Sequence, residues 1–391
     1  MEHFFAPCPR GLEATLAQEL TALGAASVRT TDGGAHFSGP FVLCYRANLE
    51  SRIASRILWR VGVAPYQTAE DIYRAAAALE WPRWFDVRDT LRVNLSAHRS
   101  PLKSLDFATL RIKDAICDKF RALHGQRPNI DTQTPDVRVH AFLSADELTL
   151  YLDTSGEPLF KRGYRRASGE APLRENLAAG MLRLAQWVPG EPLLDPMCGS
   201  GTIPIEAALI ALNIAPGARR TFGFEKLANF DGALWEELRL EAKSHERPRE
   251  PQPIFGRDLY GDALKDAQAN VGAADLQDVI ELKQANLLEI SPPAAAGVIV
   301  TNPPYGVRMG EHDELTDFYP RLGDALKQRF SGWRAYILTS ELDLPKRIRL
   351  AATKRTPLYN GALECRLFEF KMVAGSMRKV KGQESRVKGE K

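Results

Sequence analysis

The stretch DPMCGSGTIPIEAA (residues 195–208) decides the fold of this chain. It follows a short apolar run that ends at Asp195 and leads into an apolar helical pattern, so it is predicted to join a strand to a helix. Glycines at such a turn let the backbone approach a ligand closely, and the helix N-terminus offers free N–H groups. A carboxylate at the strand end suits a ligand with a positively charged amino-acid end. A plain tight turn is the alternative, and the absence of a full GxGxxG pattern weakens a dinucleotide interpretation.

A second acidic residue, Asp258, follows the next predicted strand, at residues 254–256. A carboxylate in this place can accept both ribose hydroxyls of a nucleoside. Asp258 lies much farther from Asp195 than the roughly 20 residues of a bare strand-helix-strand unit, so residues 213–253 are predicted to be an insertion. Taken alone, Asp258 is better explained as an ordinary surface or capping residue.

A third motif, Asn302-Pro303-Pro304-Tyr305, ends the apolar strand 297–301. The prolines fix the backbone, so that the Pro303 carbonyl and the Asn302 amide oxygen can point at one spot. Two acceptors beside an aromatic ring fit an exocyclic amino group on a planar base. A rigid Pro-Pro turn is the alternative, but NPPY downstream of the first two motifs favours a site.

Composition restricts the class of protein further. The 391 residues are 44% hydrophobic and 26% charged, with a net charge of +3, which is typical of a globular protein with two or three domains and excludes a disordered chain. The five cysteines form no CxxC pair and the histidines no HxxH pair, so neither a disulfide framework nor a metal site is predicted. No signal peptide or membrane helix is visible either, and we expect a soluble, cytoplasmic protein.

The pattern of the chain changes near residue 156. Before it, residues 91–95 alternate as a strand, Ser104 is predicted to cap a helix, and residues 137–142 and 148–152 predict a β-hairpin. A helical pattern also runs from about residue 43 to residue 59. After residue 156, short apolar strands alternate with helical patterns, which is typical of a doubly wound parallel sheet.

In this order, the three motifs resemble those of class I S-adenosylmethionine-dependent methyltransferases that methylate amino groups. The closest resemblance is to THUMP-containing RNA guanine-N2 methyltransferases of the RlmL type, which act on 23S rRNA. It extends to PCPRGLEATLAQEL (7–20) and FKRGYRRASGEAPLREN (160–176), and so covers most of the chain. The resemblance implies an α/β fold, with a Rossmann-like class I methyltransferase domain built on a mostly parallel doubly wound sheet. An N-terminal α+β portion, which comprises a ferredoxin-like segment and a THUMP domain, would precede it.

The same resemblance implies a division of the chain into domains. We expect a ferredoxin-like segment at 1–55, a THUMP RNA-binding domain at 56–155 and the methyltransferase domain at 156–375. Residues 376–391 are polar and basic, and are predicted to be a disordered tail. Seven Lys or Arg against two Glu in residues 371–391 account for the small positive charge of the whole chain.

The resemblance also implies a role for each matching position. Asn302 and the Pro303 carbonyl would orient the guanine N2 amine, Pro304 would fix the turn, and Tyr305 would stack on the base. The S-adenosyl-L-methionine site would comprise Ala171, Pro172, Leu173, Asp195, Met197, Cys198, Gly199, Gly201, Thr202, Asp258, Leu259, Asn286 and Leu287. One departure concerns the adenine contact, where the family usually has Asp and this chain has Asn286, whose amide oxygen can still accept from the adenine amine.

Two further features allow competing interpretations. Cys198 could be a nucleophile, as in pyrimidine C5 methylation, but it lies within the cofactor turn, so a structural role is favoured. The four cations Lys161, Arg162, Arg165 and Arg166 surround one tyrosine, and they suit either a solvated face or contact with RNA phosphates.

The expected partner is structured RNA, with rRNA favoured and a tRNA guanine-N2 enzyme as the alternative. Methylation of DNA adenine or of protein glutamine could also use NPPY, but neither explains the THUMP-like region. A non-catalytic RNA-binding assembly factor is the remaining alternative, although such a protein has no need of all three motifs. We expect a monomer that binds neither a metal nor a membrane.

Overall fold

The computed structural model of the protein describes residues 1–167, 172–303 and 311–373, and for residues 311–316 the backbone alone. In these ranges the strands are β1 (Glu2–Pro7), β2 (Ala26–Thr31), β3 (Gly34–Gly39), β4 (Leu58–Pro65), β5 (Leu91–Ala97), β6 (Val137–Leu143), β7 (Glu147–Asp153), β8 (Leu193–Asp195), β9 (Ile254–Asp258), β10 (Glu281–Gln284), β11 (Gly297–Thr301), β12 (Trp333–Thr339), β13 (Lys354–Asn360) and β14 (Leu363–Lys371). The helices are α1 (Glu13–Ala22), α2 (Val42–Glu50), α3 (Ala69–Ala77), α4 (Leu105–His124), α5 (Glu175–Leu184), α6 (Thr202–Ala211), α7 (Gly232–Ser244), α8 (Gly261–Ala274), α9 (Glu311–Arg329) and α10 (Leu344–Arg347). None of the helices in the described part of the chain combines the length and the apolarity that crossing a membrane requires.

The chain divides into two compact units. The first contains Met1–Cys8, Leu12–Gly163 and Ala215–His245, and the second contains Pro9–Gly11, Tyr164–Ile214 and the residues from Glu246 on. Each unit is built on one sheet.

The sheet of the first unit has the strand order β2-β3-β1-β4-β7-β6-β5. Its pairs are antiparallel except for β5 and β6, which are parallel. The predicted hairpin is confirmed as β6 and β7, and the predicted cap is confirmed, since Ser104 Oγ accepts from the Phe107 backbone N–H at 3.2 Å. The helix expected over residues 43–59 is wrong in length. It ends at Glu50, because β4 begins at Leu58 and pairs with β1 and β7.

The predicted insertion supplies Ala215–His245 to the first unit. Aromatic packing fixes it there: the ring centroids of Tyr45 and Phe224 are 4.6 Å apart, and those of Phe224 and Trp235 are 5.0 Å apart. The Tyr45 hydroxyl also accepts from the Asp231 backbone N–H at 2.9 Å. Residues that lie between two strands of the second unit in sequence therefore complete the core of the first.

The sheet of the second unit has the order β10-β9-β8-β11-β12-β14-β13. Its first five strands are parallel, and β14 runs antiparallel to both β12 and β13. This arrangement confirms the expected mostly parallel α/β sheet. The neighbouring strands β9, β8 and β11 end at Asp258, Asp195 and Thr301, so these three side chains lie at one edge of the sheet.

Candidate active site

A glycine loop connects β8 to α6. Gly199 and Gly201 have φ values of +51° and +82°, and the Gly201 N–H donates to the Cys198 carbonyl at 2.8 Å. A Cβ atom on Gly201 would lie 3.2 Å from the Ala267 Cβ atom. Glycine is therefore required at residue 201 both by the left-handed backbone and by the close approach of α8.

Asp195 is the buried carboxylate of the site, with 2% of its surface exposed. Its Oδ1 atom accepts from the Thr301 hydroxyl at 2.8 Å and from the Met197 N–H at 3.3 Å. Burial raises the pKa of Asp195 to about 7 against the effect of these two donors, and the nearby Asp258 raises it further. A cationic ligand group beside Asp195 would favour its ionised form, so the site suits a positively charged end of a cofactor.

Asp258 ties the end of β9 to the glycine loop. Its Oδ2 atom accepts from the Gly199 N–H at 2.9 Å, and its Oδ1 atom accepts from the Tyr260 N–H at 3.0 Å. A carboxylate oxygen can accept more than one hydrogen bond. Asp258 can therefore hold the loop and accept ribose hydroxyls at the same time.

The turn after β10 uses both ends of the Asn286 amide. Its Oδ1 atom accepts from the Leu288 N–H at 3.1 Å, and its Nδ2 group donates to Glu289 Oε1 at 3.0 Å. The Leu287 side chain packs into the core at 5% exposure, which leaves only its backbone for a cofactor, whereas Leu259 is 51% exposed. Of these two leucines, Leu259 has the apolar surface that could cover an adenine ring.

The end of β11 adjoins this carboxylate site. Asn302 follows directly after Thr301, whose hydroxyl is bonded to Asp195, and Pro303 is buried. An amide acceptor thus lies one residue along the chain from a direct contact with the buried carboxylate. The other predicted site residues on this strand end, Pro304 and Tyr305, lie outside the described residues, as does Ala171.

Arg165 belongs to the predicted basic RNA-contacting cluster, but its guanidinium is turned to the glycine loop, a role that the sequence did not reveal. Its guanidinium donates to Glu175 Oε1 at 2.8 Å, Thr202 Oγ1 at 3.0 Å, the Leu173 carbonyl at 3.1 Å and Ser200 Oγ at 3.2 Å. These bonds join the predicted cofactor wall to the glycine loop. Only the position of Arg165, a few residues before that wall, could have indicated this.

The predicted basic cluster does not form a single surface. Arg162 is buried at 3% exposure, and its guanidinium donates to the carbonyls of Leu159 at 2.8 Å and Arg52 at 2.6 Å. Placing Arg162 on an RNA-binding surface was therefore wrong, because its donors are turned inward to the backbone. Lys161 and Arg166 are exposed, and these two stay candidates for phosphate contact.

Cys198 is buried within the glycine loop. Burial, followed by the charges of Asp195 and Asp258, holds the pKa of its thiol well above the usual value. The thiol is therefore neutral and unsuited to nucleophilic attack. Among the described residues, no three His, Cys, Asp or Glu side chains are grouped so that they could hold a metal ion.

Three family profiles match the chain. An RMKL-like methyltransferase domain matches residues 162–369, a THUMP domain matches 66–153, and an RlmL ferredoxin-like domain matches 3–58. The Synechocystis protein described as a candidate RNA methyltransferase is 40% identical over 370 residues, which are 94% of this chain and 96% of that protein.

A ribosomal RNA large subunit methyltransferase K/L from a Shewanella strain is 40% identical over 384 residues. The match includes 97% of this chain but 54% of that protein, so the chain spans about half the length of the K/L methyltransferase. The crystal structure of a candidate methyltransferase complexed with S-adenosylhomocysteine superposes with a TM-score of 0.87 at 32% identity, over 96% of this chain and 99% of that one. The chain belongs to the RMKL-like methyltransferase family, in the form that also carries RlmL-type ferredoxin-like and THUMP domains.

Proposed function

We propose that the protein transfers a methyl group from S-adenosyl-L-methionine to the exocyclic N2 amine of a guanine in RNA, with 23S rRNA as the substrate. The observation that carries the proposal is the bond between Thr301 and Asp195. It joins a buried carboxylate, which suits a cationic cofactor, to the end of the strand that carries Asn302. The amide oxygen of Asn302 can accept a hydrogen bond from an amine. A binding protein without activity has no need to bring these two groups together.

The described residues fit the cofactor. Asp195 would hold its ammonium group, since burial leaves that carboxylate in need of a positive partner. Asp258 would accept the ribose hydroxyls, and Leu259 would cover the adenine. Pro172 and Leu173 would form a wall that Arg165 keeps against the glycine loop. When bound, S-adenosyl-L-methionine supplies an electrophilic methyl group on its sulfonium.

The amine end of the site would work by positioning. The lone pair of guanine N2 is delocalised into the ring, which makes it a poor nucleophile. If Asn302 Oδ1 and the Pro303 carbonyl accept its two hydrogens, the nitrogen becomes more pyramidal and its lone pair is aimed at the methyl group, with Tyr305 stacked on the base. An N–C bond would then form as the methyl C–S bond breaks, with S-adenosylhomocysteine as the leaving group and the proton released to solvent afterwards.

The choice of rRNA rests on the THUMP profile and on the names of the relatives, and a tRNA guanine-N2 enzyme is the alternative. We propose that Lys161 and Arg166 contact phosphates, and that the domain limits are those expected from the sequence. We also propose a cytoplasmic monomer that needs no metal. The five cysteines are all buried, and none of them forms a disulfide in the described structure, which is in keeping with a reducing compartment.

Transfer of tritiated methyl groups to total rRNA and tRNA, followed by nucleoside analysis, tests the proposal. We expect N2-methylguanosine in 23S rRNA. Label in tRNA alone would favour the alternative substrate, and methylated adenine or no label at all would reject the proposed reaction.

Asn302→Ala tests the role of the amide. We expect it to abolish transfer and to leave the affinity for S-adenosylhomocysteine nearly unchanged. Asn229→Ala, a change at an exposed asparagine of the first unit, is the matched control and should keep full activity. Transfer by Asn302→Ala at the wild-type rate would disprove the amine-orienting role.

A further inference from the structure

One face of the first unit's sheet forms an open groove of about 600 Å³. The side chains that line it come mainly from the seven strands of this sheet and include Phe5, Arg29, His36, Arg60, Phe142 and Tyr151. We call this the sheet groove. It lies entirely within the first unit, and the cofactor site of the second unit contributes no residue to it.

Aromatic rings form the floor of the sheet groove. Phe5 on β1 lies directly opposite His36 on β3, with ring centroids 4.8 Å apart, and the Phe5 and Tyr151 centroids are 6.3 Å apart. Phe142 adds a ring that is 39% exposed, although its neighbours Ala141 and Leu143 on β6 are buried. The exposed part of this ring is available to a ligand.

Two arginines also line the sheet groove. Arg29 is paired with His36 across β2 and β3, and Arg60 is paired with Tyr151 across β4 and β7. Within the described residues, no acidic side chain lies within salt-bridge distance of either guanidinium. The positive charge of these arginines acts on His36 between them in the groove. Burial lowers the pKa of His36, and the charges of Arg29 and Arg60 lower it further.

The groove also has acidic residues, Asp32 and Glu147. They prevent an unbroken basic track of the kind that follows a duplex backbone. The positive region is instead confined to the neighbourhood of Arg29, His36 and Arg60, directly beside the aromatic floor. This combination suits a ligand in which each anionic group is joined to a flat ring.

From this arrangement we infer that the sheet groove binds an unpaired stretch of the RNA substrate, with bases stacked on Phe5 and Phe142 and phosphates held by Arg29 and Arg60. Stacking on an open sheet requires bases whose faces are free, and a duplex hides those faces. The inference rests on the proposed function only in taking RNA as the partner. It adds a second point of contact, outside the methylation site, that selects RNA with an unpaired segment.

Fluorescence anisotropy with the full chain tests this inference. The probes are a labelled single-stranded RNA of about ten nucleotides, within the site sizes known for such surfaces, and a blunt RNA duplex of the same length. We expect the single strand to bind more tightly. In the double variant Arg29→Ala/Arg60→Ala its affinity should fall about tenfold or more, and the salt dependence of log K should weaken by about 1.4, for two phosphates on a single strand. Phe142→Ala should weaken binding about fivefold or more through lost stacking.

Arg121→Ala is the matched control, since Arg121 is an exposed cation on α4 that does not line the groove. It should leave affinity and salt dependence unchanged. Histidine resonances give a second readout, because a bound phosphate should raise the pKa of His36 in the wild-type protein.

Equal binding of the duplex and the single strand, or unchanged binding in both groove variants, would overturn the inference. Methyl transfer to guanine N2 is measured separately with the same proteins. Active wild-type enzyme with no effect of the groove variants would reject the groove alone. Groove-dependent RNA binding without methyl transfer would reject the proposed reaction alone.

Discussion

The Nη2 group of Arg165 donates to Thr202 Oγ1 at 3.0 Å, so that one guanidinium holds the first residue of α6. The same side chain is paired with Glu175, whose carboxylate is 5% exposed. Removing Arg165 would therefore release the glycine loop and leave a buried acid without its cation.

We predict that Arg165→Met weakens S-adenosylhomocysteine binding at least about tenfold and lowers the free energy of unfolding by about 3 kcal/mol, as for a broken buried ion pair. Arg165→Lys should recover part of both, since it keeps the charge but not the forked geometry. Calorimetry and urea unfolding measure the two effects. Arg183→Met, at an exposed position on α5, is the control. Lower stability with unchanged cofactor affinity would mean that Arg165 does not position the loop.

The buried carboxyl of Asp195 makes cofactor binding depend on pH. Its pKa is about 7, and a cationic ligand prefers the ionised form. We therefore predict that affinity for S-adenosylhomocysteine rises between pH 6 and 8, with proton release on binding at the lower pH. Asp195→Asn should bind weakly and without this dependence. A pH-independent affinity in the wild type would contradict the proposed contact with the ammonium group.

Thr301→Val gives a finer test of the same carboxyl. The threonine hydroxyl lowers the pKa of Asp195 by donating to it. Without that donor, the rise in affinity should move to higher pH, while an unmoved midpoint would show that the hydroxyl has no electrostatic role.

The free energy of unfolding should change with pH in the opposite direction to cofactor affinity. The folded-state pKa of about 7 lies above the ordinary value of 3.8, so Asp195 holds its proton between these two pH values in the folded protein but not in the unfolded chain. The contribution of Asp195 to the free energy of unfolding therefore falls as the pH rises from about 4 to about 7.

The contact between Gly201 and α8 predicts the effect of adding a methyl group. Gly201→Ala should lower the free energy of unfolding by about 1–3 kcal/mol, because the left-handed backbone is strained by a side chain and because the new Cβ atom would lie 3.2 Å from the Ala267 Cβ atom. Cofactor affinity should fall with it. The control is Gly272→Ala on α8, the helix that carries Ala267, because a Cβ atom at Gly272 would have no neighbour within 4 Å. That change should be neutral or stabilising, and equal effects of the two variants would disprove the steric explanation.

The neutral thiol of Cys198 predicts an enzyme that does not need it. Cys198→Ala should retain methyl transfer, with stability reduced by about 1 kcal/mol for the small cavity left behind. Methyl transfer and cofactor binding are measured together. Lost transfer with intact cofactor binding would restore the nucleophile hypothesis.

The structure also affects how the N-terminal portion can be tested. Deleting residues 1–155 would remove Tyr45 from its packing against Phe224 and would expose the aromatic cluster of Ala215–His245. Loss of RNA recognition in such a truncation could follow from misfolding alone. Point variants in the sheet groove avoid this problem.

The sequence by itself determined the mostly parallel sheet and the placement of Asp195, Asp258 and Asn302, each at the end of a strand. These follow from local patterns: apolar strands, a glycine turn and a helical period each depend on neighbours a few residues away. The cap at Ser104 and the hairpin of β6 and β7 could be predicted for the same reason. The family motifs then gave each of these positions an expected role.

Only the tertiary structure decided what the cations do and to which unit the insertion belongs. Three arginines lie within one five-residue stretch, and the sequence does not distinguish between them: Arg162, Arg165 and Arg166. In the structure, Arg162 is buried against backbone carbonyls and Arg165 joins the glycine loop to the cofactor wall, whereas Arg166 is exposed. The bond from Thr301 to Asp195 and the contact between Tyr45 and Phe224 of the insertion likewise join residues more than a hundred positions apart. The energy of burial and of hydrogen bonding depends on which groups meet after folding, and a local pattern carries no information about partners that far away.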